Sequence, residues 1–219
     1  MSTLDEIQTA LEIIAYGYLR DDTPSGLTSI RDHWNGSPTA GETIRKKVSL
    51  LHCTTDYPAT FHDLNLKAMD NMRETFGLRV GFSDHSPGIT AAIAAVARGA
   101  TIIEKHITMD RQLPGPDHAA SLEPNGFKTL ISAISDTEQA LGSGRKGVQP
   151  SEIGNRAIAR KSLVAEKPLK KGDLITDEFI AVKRPGLGLS PIYYWDILGK
   201  TADEDYPADA RIYREILGK

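Results

Sequence analysis

Two histidines raise the chemical question. Val80 to Thr108 reads VGFSDHSPGITAAIAAVARGATIIEKHIT, and His85 and His106 each stand where an apolar run gives way to a loop. If the two runs are neighbouring parallel strands, both imidazoles end level on one rim. Alternation along the second strand puts Glu104 and His106 on one face and Lys105 on the other. Two imidazoles with a carboxylate beneath them could hold a divalent cation, and imidazole does not choose among Mn²⁺, Zn²⁺ and Fe²⁺. The alternative is a pair of rim histidines bonded to backbone or carboxylates.

Other residue types offer weaker chemistry. His52 and Cys53 are adjacent, so along a strand they face opposite sides, which argues against a cysteine–histidine pair and for Cys53 as packing. Ser83 could donate to a phosphate at a strand end or be structural. In the loop GPDHAASLEP, Asp117 could bind sugar hydroxyls or merely shape a turn, with His118 beside it. KRPGLGLSP holds Arg184 on a stiff glycine–proline loop, where the guanidinium either meets an anion or carbonyl or is simply solvated. Its GLG does not follow a strand and open a helix, so it is not a dinucleotide fingerprint.

Positioning these groups requires a parallel sheet. Apolar residues at helical spacing predict a helix from Ser2 to Arg20, with Thr3 and Glu6 as a capping box. A loop with a short helix in its middle follows. Strand Val48–Cys53, helix Leu64–Phe76, strand Leu78–Ser83, helix Ile89–Arg98, strand Thr101–Thr108 and helix Pro124–Leu141 then alternate, the pattern of βαβ units. In such α/β folds ligands bind at the C-terminal rim of the strands. Residues 1–145 are therefore expected to form one α/β domain, 146–158 a polar linker, and 159–219 a small β-rich module of short strands and tight turns.

Composition narrows the class. A 40% hydrophobic, 25% charged chain with net charge −3 reads as an ordinary soluble globular protein with no electrostatic call for nucleic acid or an acidic membrane. MSTLDEIQTALEII has neither a basic n-region nor an uninterrupted apolar core, so no signal peptide or membrane span is expected. One cysteine precludes an intramolecular disulfide and suits a cytoplasmic location.

The segments LHCTTDYP, NLKAMDNM, GFSDHSPGI, AAVARGATIIEKHIT, PGPDHAASLEP, ARKSLVA, VKRPGLGLSP and ILGK, in this order, closely resemble the sialic acid synthase (N-acetylneuraminate synthase) family, above all bacterial members making sialic or legionaminic-type acids. The resemblance implies an α/β fold: a partial (β/α)8 TIM barrel, about strands six to eight with their helices, followed by a small β-rich SAF (antifreeze-like) domain. It implies a transferase that condenses phosphoenolpyruvate with N-acetylmannosamine or a related N-acetylated hexose and releases phosphate. His85 and His106 would bind the divalent metal, Mn²⁺ foremost, which polarises the sugar aldehyde. Glu104, in the metal-adjacent motif, is the expected catalytic carboxylate. Ser83 would contact phosphoenolpyruvate, and Tyr57 and Asp117 the sugar. Arg184 would reach from the SAF module into the barrel of a homodimer partner.

Two departures from the family pattern follow. Thr55 stands where some members carry an asparagine that contacts phosphoenolpyruvate. The larger one is that a full barrel takes about 250 residues, whereas roughly 140 precede the linker. The family's phosphate-binding lysines and a catalytic glutamate have no evident counterpart, since Lys105 should point away from the interior and Lys46 and Lys47 precede their strand. The expectation is a C-terminal portion of a synthase with negligible turnover alone. A non-catalytic carbohydrate- or partner-binding fragment is the alternative, as is a truncated chain without function.

Overall fold

Three apolar runs form the parallel sheet that carries the histidines. The computed structural model describes residues 1–218 and divides into two compact units, Met1–Gly144 and Arg145–Lys219. The first contains α1 (Leu4–Leu19), α2 (Leu27–Gly36), α3 (Ala40–Lys47), β1 (Ser49–Cys53), α4 (Ala68–Phe76), β2 (Arg79–Asp84), α5 (Thr90–Ala97), β3 (Ile103–Lys105) and α6 (Pro124–Leu141). The strands run in the order β1-β2-β3, all parallel, with Cys53 level with Ser83, Ser83 with Glu104, and Asp84 with Lys105. Parallel neighbours need crossovers, and α4 and α5 supply them.

Pleating sorts the strand residues. Leu50, Val80, Phe82 and Ile103 share the face on which α4 and α5 lay Met69, Met72, Ala91 and Ala95. Alanines on α5 bring that helix close to the sheet. On the opposite face a Cβ at Gly81 would lie 2.5 Å from the Ile102 carbonyl oxygen and from Leu51 Cδ2, so glycine alone fits there. That face is the more open one, with Leu51 half-buried and Ile102 exposed. Gly77, at φ 63°, stops α4 in the left-handed conformation and returns its N–H to the Arg73 carbonyl.

The Thr3–Glu6 capping box is present: Thr3 N donates to Glu6 Oε2 at 2.7 Å and Glu6 N to Thr3 Oγ1 at 3.3 Å. These bonds from Thr3 hold the Glu6 carboxyl below its ordinary pKa. Three elements differ from the sequence reading. The region before β1 holds a second helix, α3, whose Ala40 and Ile44 bury against Leu11 and Ala15 of α1; tertiary packing offsets a sequence with glycine at its second position. α4 starts at Ala68 because Phe61–Asp63 turns as a 3₁₀ segment and Asn65 takes φ 43°. The run Thr101–Thr108 yields only three strand residues. Past Lys105 the chain leaves β2, and Ile107 bridges Leu122, with Leu122 N donating to the His106 carbonyl at 2.9 Å.

The second unit contains α7 (Ile153–Ala159), β4 (Ser162–Ala165), β5 (Ile180–Lys183) and α8 (Tyr194–Ile197). Its core comprises Leu163, Leu169, Ile175, Ile180, Ile197 and Ile212. β4 and β5 pair antiparallel, and single bridges such as Leu169–Tyr206 and Leu174–Thr201 replace the additional strands expected there. The stretch read as linker holds a 3₁₀ turn, Pro150–Glu152, and most of α7. Its polar composition reports exposure and not lack of structure. Burial and the bond to Asp203 push the Tyr206 phenol well above its ordinary pKa. Among the described residues, no helix is long and apolar enough to cross a membrane.

Candidate active site on the strand rim

The C-terminal ends of β2 and β3 bring His85 and His106 together. Each follows a member of the last register pair, Asp84 and Lys105, and their ring centroids lie 5.1 Å apart, nearly perpendicular. Tyr57, from the loop after β1, places its ring 4.3 Å from that of His85 and 5.6 Å from that of His106. Ala59 N donates to the His85 carbonyl at 3.0 Å and ties this loop to the rim.

Hydrogen bonding assigns the His85 tautomer. Its Nδ1 lies 2.9 Å from the Thr54 carbonyl oxygen, which can only accept, so Nδ1 carries hydrogen. In the neutral ring Nε2 then holds the free lone pair, the usual state of a metal-ligating histidine steadied by a backbone carbonyl. Cys53 Sγ is 3.7 Å from the same Nδ1. The reading of Cys53 as packing considered only its sequence neighbour, His52; the histidine it meets comes from the next strand. His52 itself bonds the Leu64 carbonyl through Nε2 at 2.7 Å and stacks on Phe82.

Below the histidines, Ser83 Oγ donates to Glu104 Oε1 at 2.6 Å. Ser83 is buried and Glu104 exposed, so the carboxylate faces the open side with one oxygen engaged. The Ser83 hydroxyl hydrogen is committed to Glu104, and a phosphate would have to compete for it. Asp117 Oδ2 lies 3.9 Å from His106 Nδ1, too long for a hydrogen bond. Its neighbour His118 pairs through Nδ1 with Thr108 Oγ1 at 2.7 Å and holds the loop.

Arg184 belongs to the second unit. It is exposed, with Nε donating to the Ala159 carbonyl at 2.9 Å, while Ser162 Oγ donates to the Pro185 carbonyl and Gly186 N to the Ala157 carbonyl. Gly186 is required at that approach, since a Cβ would stand 2.4 Å from Arg160 Cβ.

Sequence reasoning assigned no role to Asp84 or Ser86. Lys105 points to the helix-covered side, its Nζ 3.0 Å from Asp84 Oδ2, with side-chain exposures of 1% and 0%. The signal lay in the motifs themselves: SDH and EKH put an acid and a base one residue before each histidine.

For a divalent cation the donor set fits in part. His85 and His106 offer two imidazoles with one tautomer fixed, and Glu104 stands on the same face. Among the described residues no group of three or more histidine, cysteine, aspartate or glutamate side chains is placed to hold a metal, so further ligands would have to be substrate or water oxygens.

Comparisons with known proteins give the family. The NeuB family profile matches residues 1–146, and a SAF domain profile matches residues 160–214. N,N'-diacetyllegionaminic acid synthase of Campylobacter jejuni is 48% identical over 168 residues, 77% of this chain and 50% of that protein. Its namesake from Legionella pneumophila is 44% identical over 180 residues, 82% of this chain and 51% of that one. The chain thus spans about half the length of these curated relatives. A crystal structure of spore coat polysaccharide biosynthesis protein E from Chromobacterium violaceum aligns with 94% of this chain and 63% of its own, at 24% identity and a TM-score of 0.59, a likeness of fold. With its parallel βα segment as part of a TIM barrel and its β-rich module as the SAF domain, the chain belongs to the NeuB family, the family of the sialic acid synthases.

Proposed function

We propose that this chain supplies the metal-binding rim and SAF module of a nonulosonic-acid synthase, which joins phosphoenolpyruvate to an N-acetylated hexose aldehyde and releases phosphate. The observation that carries it is the His85–His106–Tyr57 cluster at the ends of adjacent parallel strands in a NeuB-family chain. His85 and His106 would hold the divalent cation, Mn²⁺ by family resemblance, which when bound supplies Lewis acidity toward the aldehyde oxygen. The residues themselves bind and orient. Tyr57 walls the site and offers a face to the sugar. Asp117, beside His106, accepts from sugar hydroxyls. Glu104 accepts from the Ser83 hydroxyl and, on the same face as the histidines, is available to take or give a proton. Arg184 is assigned to a homodimer partner's site on resemblance alone.

The relatives' names favour a legionaminic-type acid as product over N-acetylneuraminate. A closed barrel takes eight strands, and the described sheet has three, so turnover by the 219-residue chain alone should be negligible. Mn²⁺ titration of the purified chain tests the reading, with His85→Ala and His106→Ala as controls. Micromolar binding abolished by either substitution supports it. Binding that survives both would remove the histidines from the site.

A further inference from the structure

We propose that Asp84, Lys105 and Ser86 form a buried clamp that sets the spacing and aim of the His85 and His106 imidazoles. They are positioning residues, and the inference rests on the reading of those histidines as the functional pair.

The clamp closes around His85. Asp84 precedes it and Ser86 follows it, and Asp84 Oδ1 accepts from Ser86 N at 2.8 Å and from Ser86 Oγ at 2.6 Å. Lys105, immediately before His106, reaches across from β3 and donates to Asp84 Oδ2 at 3.0 Å and also to the Ser86 carbonyl. One ammonium therefore binds the chain on both sides of one histidine while its own backbone leads into the other. All three residues are buried, Asp84 and Ser86 completely.

Position gives the network its purpose. Asp84–Lys105 is the last register pair between β2 and β3, so ladder hydrogen bonds no longer fix the separation of the chains beyond it. The histidines lie one residue past that point, where cross-strand side-chain bonds take over. A buried ion pair is a poor means of adding stability, because well-packed neutral residues of similar size often do as well or better. Its best-attested use is to select one geometry, here the register of two rim residues. On the other side the Thr54 carbonyl holds the His85 ring and Leu122 N holds the His106 main-chain carbonyl, so releasing the clamp leaves each histidine supported from one side only.

The test separates positioning from stability. Asp84→Asn/Lys105→Met removes the cross-strand tie without stranding a buried charge, and the side-chain amide oxygen introduced in place of the carboxylate can still accept from Ser86. In the full chain labelled with ¹⁵N-histidine, the native protein should show a slowly exchanging His85 Nδ1–H resonance, assigned by its disappearance in His85→Gln. We expect the double variant to keep its melting temperature within a few degrees and lose this resonance through fast exchange with water. Retention of the resonance, unchanged in position and exchange, in a folded double variant would overturn the proposal. Should the double variant not fold, Ser86→Ala gives the same decision: it loses one bond to Asp84 and should speed the exchange, and an unchanged rate would count against the clamp. A Mn²⁺ titration of the same samples, read by paramagnetic broadening of the histidine signals, should show affinity about 10–100-fold weaker in the double variant. If the native chain binds no Mn²⁺, the metal reading fails, while the exchange result still decides the clamp.

Discussion

The two faces of the parallel sheet are built from alternate residues of the same strands, yet they solve opposite problems. On the helix-covered face, Leu50, Val80, Phe82 and Ile103 pack against α4 and α5, and at the rim this face ends in a buried ion pair, Asp84–Lys105. On the other face Gly81, Ser83 and Glu104 lead to the rim with the two histidines, where His85 is buried and His106 half-buried. The contrast shows how a period of two separates support from chemistry: a charge turned inward can fix geometry, and one turned outward stays available to a ligand.

The sharpest way to break this contrast is to strand the inner charge. Lys105→Met leaves Asp84 buried and unpaired, and should cost about 3–5 kcal/mol in urea unfolding. Glu104→Gln, one residue away on the open face, should change stability by no more than about 0.5 kcal/mol. Equal losses from the two would erase the distinction between the faces. Next in size, Met69→Ala on α4 removes a fully buried side chain behind the sheet and should cost about 2–5 kcal/mol by the same measurement. Ile102→Ala on the open face, where the residue is 40% exposed, should cost less than Met69→Ala.

Smaller effects sharpen the contrast further. Ser83→Ala removes the 2.6 Å bond to Glu104 and should cost about 0.5–1.5 kcal/mol in the same unfolding measurement. The surface counterpart to the buried pair is Arg20–Asp22. The Arg20 hydrogen bond, aided by that of Tyr16, lowers the Asp22 carboxyl to about 2 from an ordinary 3.8. A depressed carboxyl stabilises the fold above its unfolded value, and that contribution disappears as pH falls through the folded one. Acid unfolding of Asp22→Asn should therefore be slightly less steep between these two pH values, an effect far below that of Lys105→Met because water and salt screen the exposed pair. A larger loss for Asp22→Asn at neutral pH would contradict the ranking.

The legible part of the molecule was its local grammar. The Thr3–Glu6 box, the apolar helical spacing of α1, the alanine-rich α5 and the alternation of Glu104 with Lys105 all follow from rules that act over a few residues, and the structure has each of them. Less legible was α3, whose helix is held by burial of Ala40 and Ile44 against α1, a contact that no local pattern encodes. The early end of β3 was hidden for the same reason: β2 runs out of partners at Asp84, and the chain after Lys105 turns to Leu122.

By itself the sequence determined which residues could do chemistry and that they stand at strand ends, because side-chain alternation and the βαβ order are properties of the chain. Only the tertiary structure decided which of them meet. It brought Tyr57 against both histidines, gave His85 Nδ1 to the Thr54 carbonyl, placed Cys53 beside His85 instead of His52, and turned Lys105 onto Asp84. These contacts depend on the register between strands, and register is set by the packing of two whole segments, which no single stretch of sequence contains.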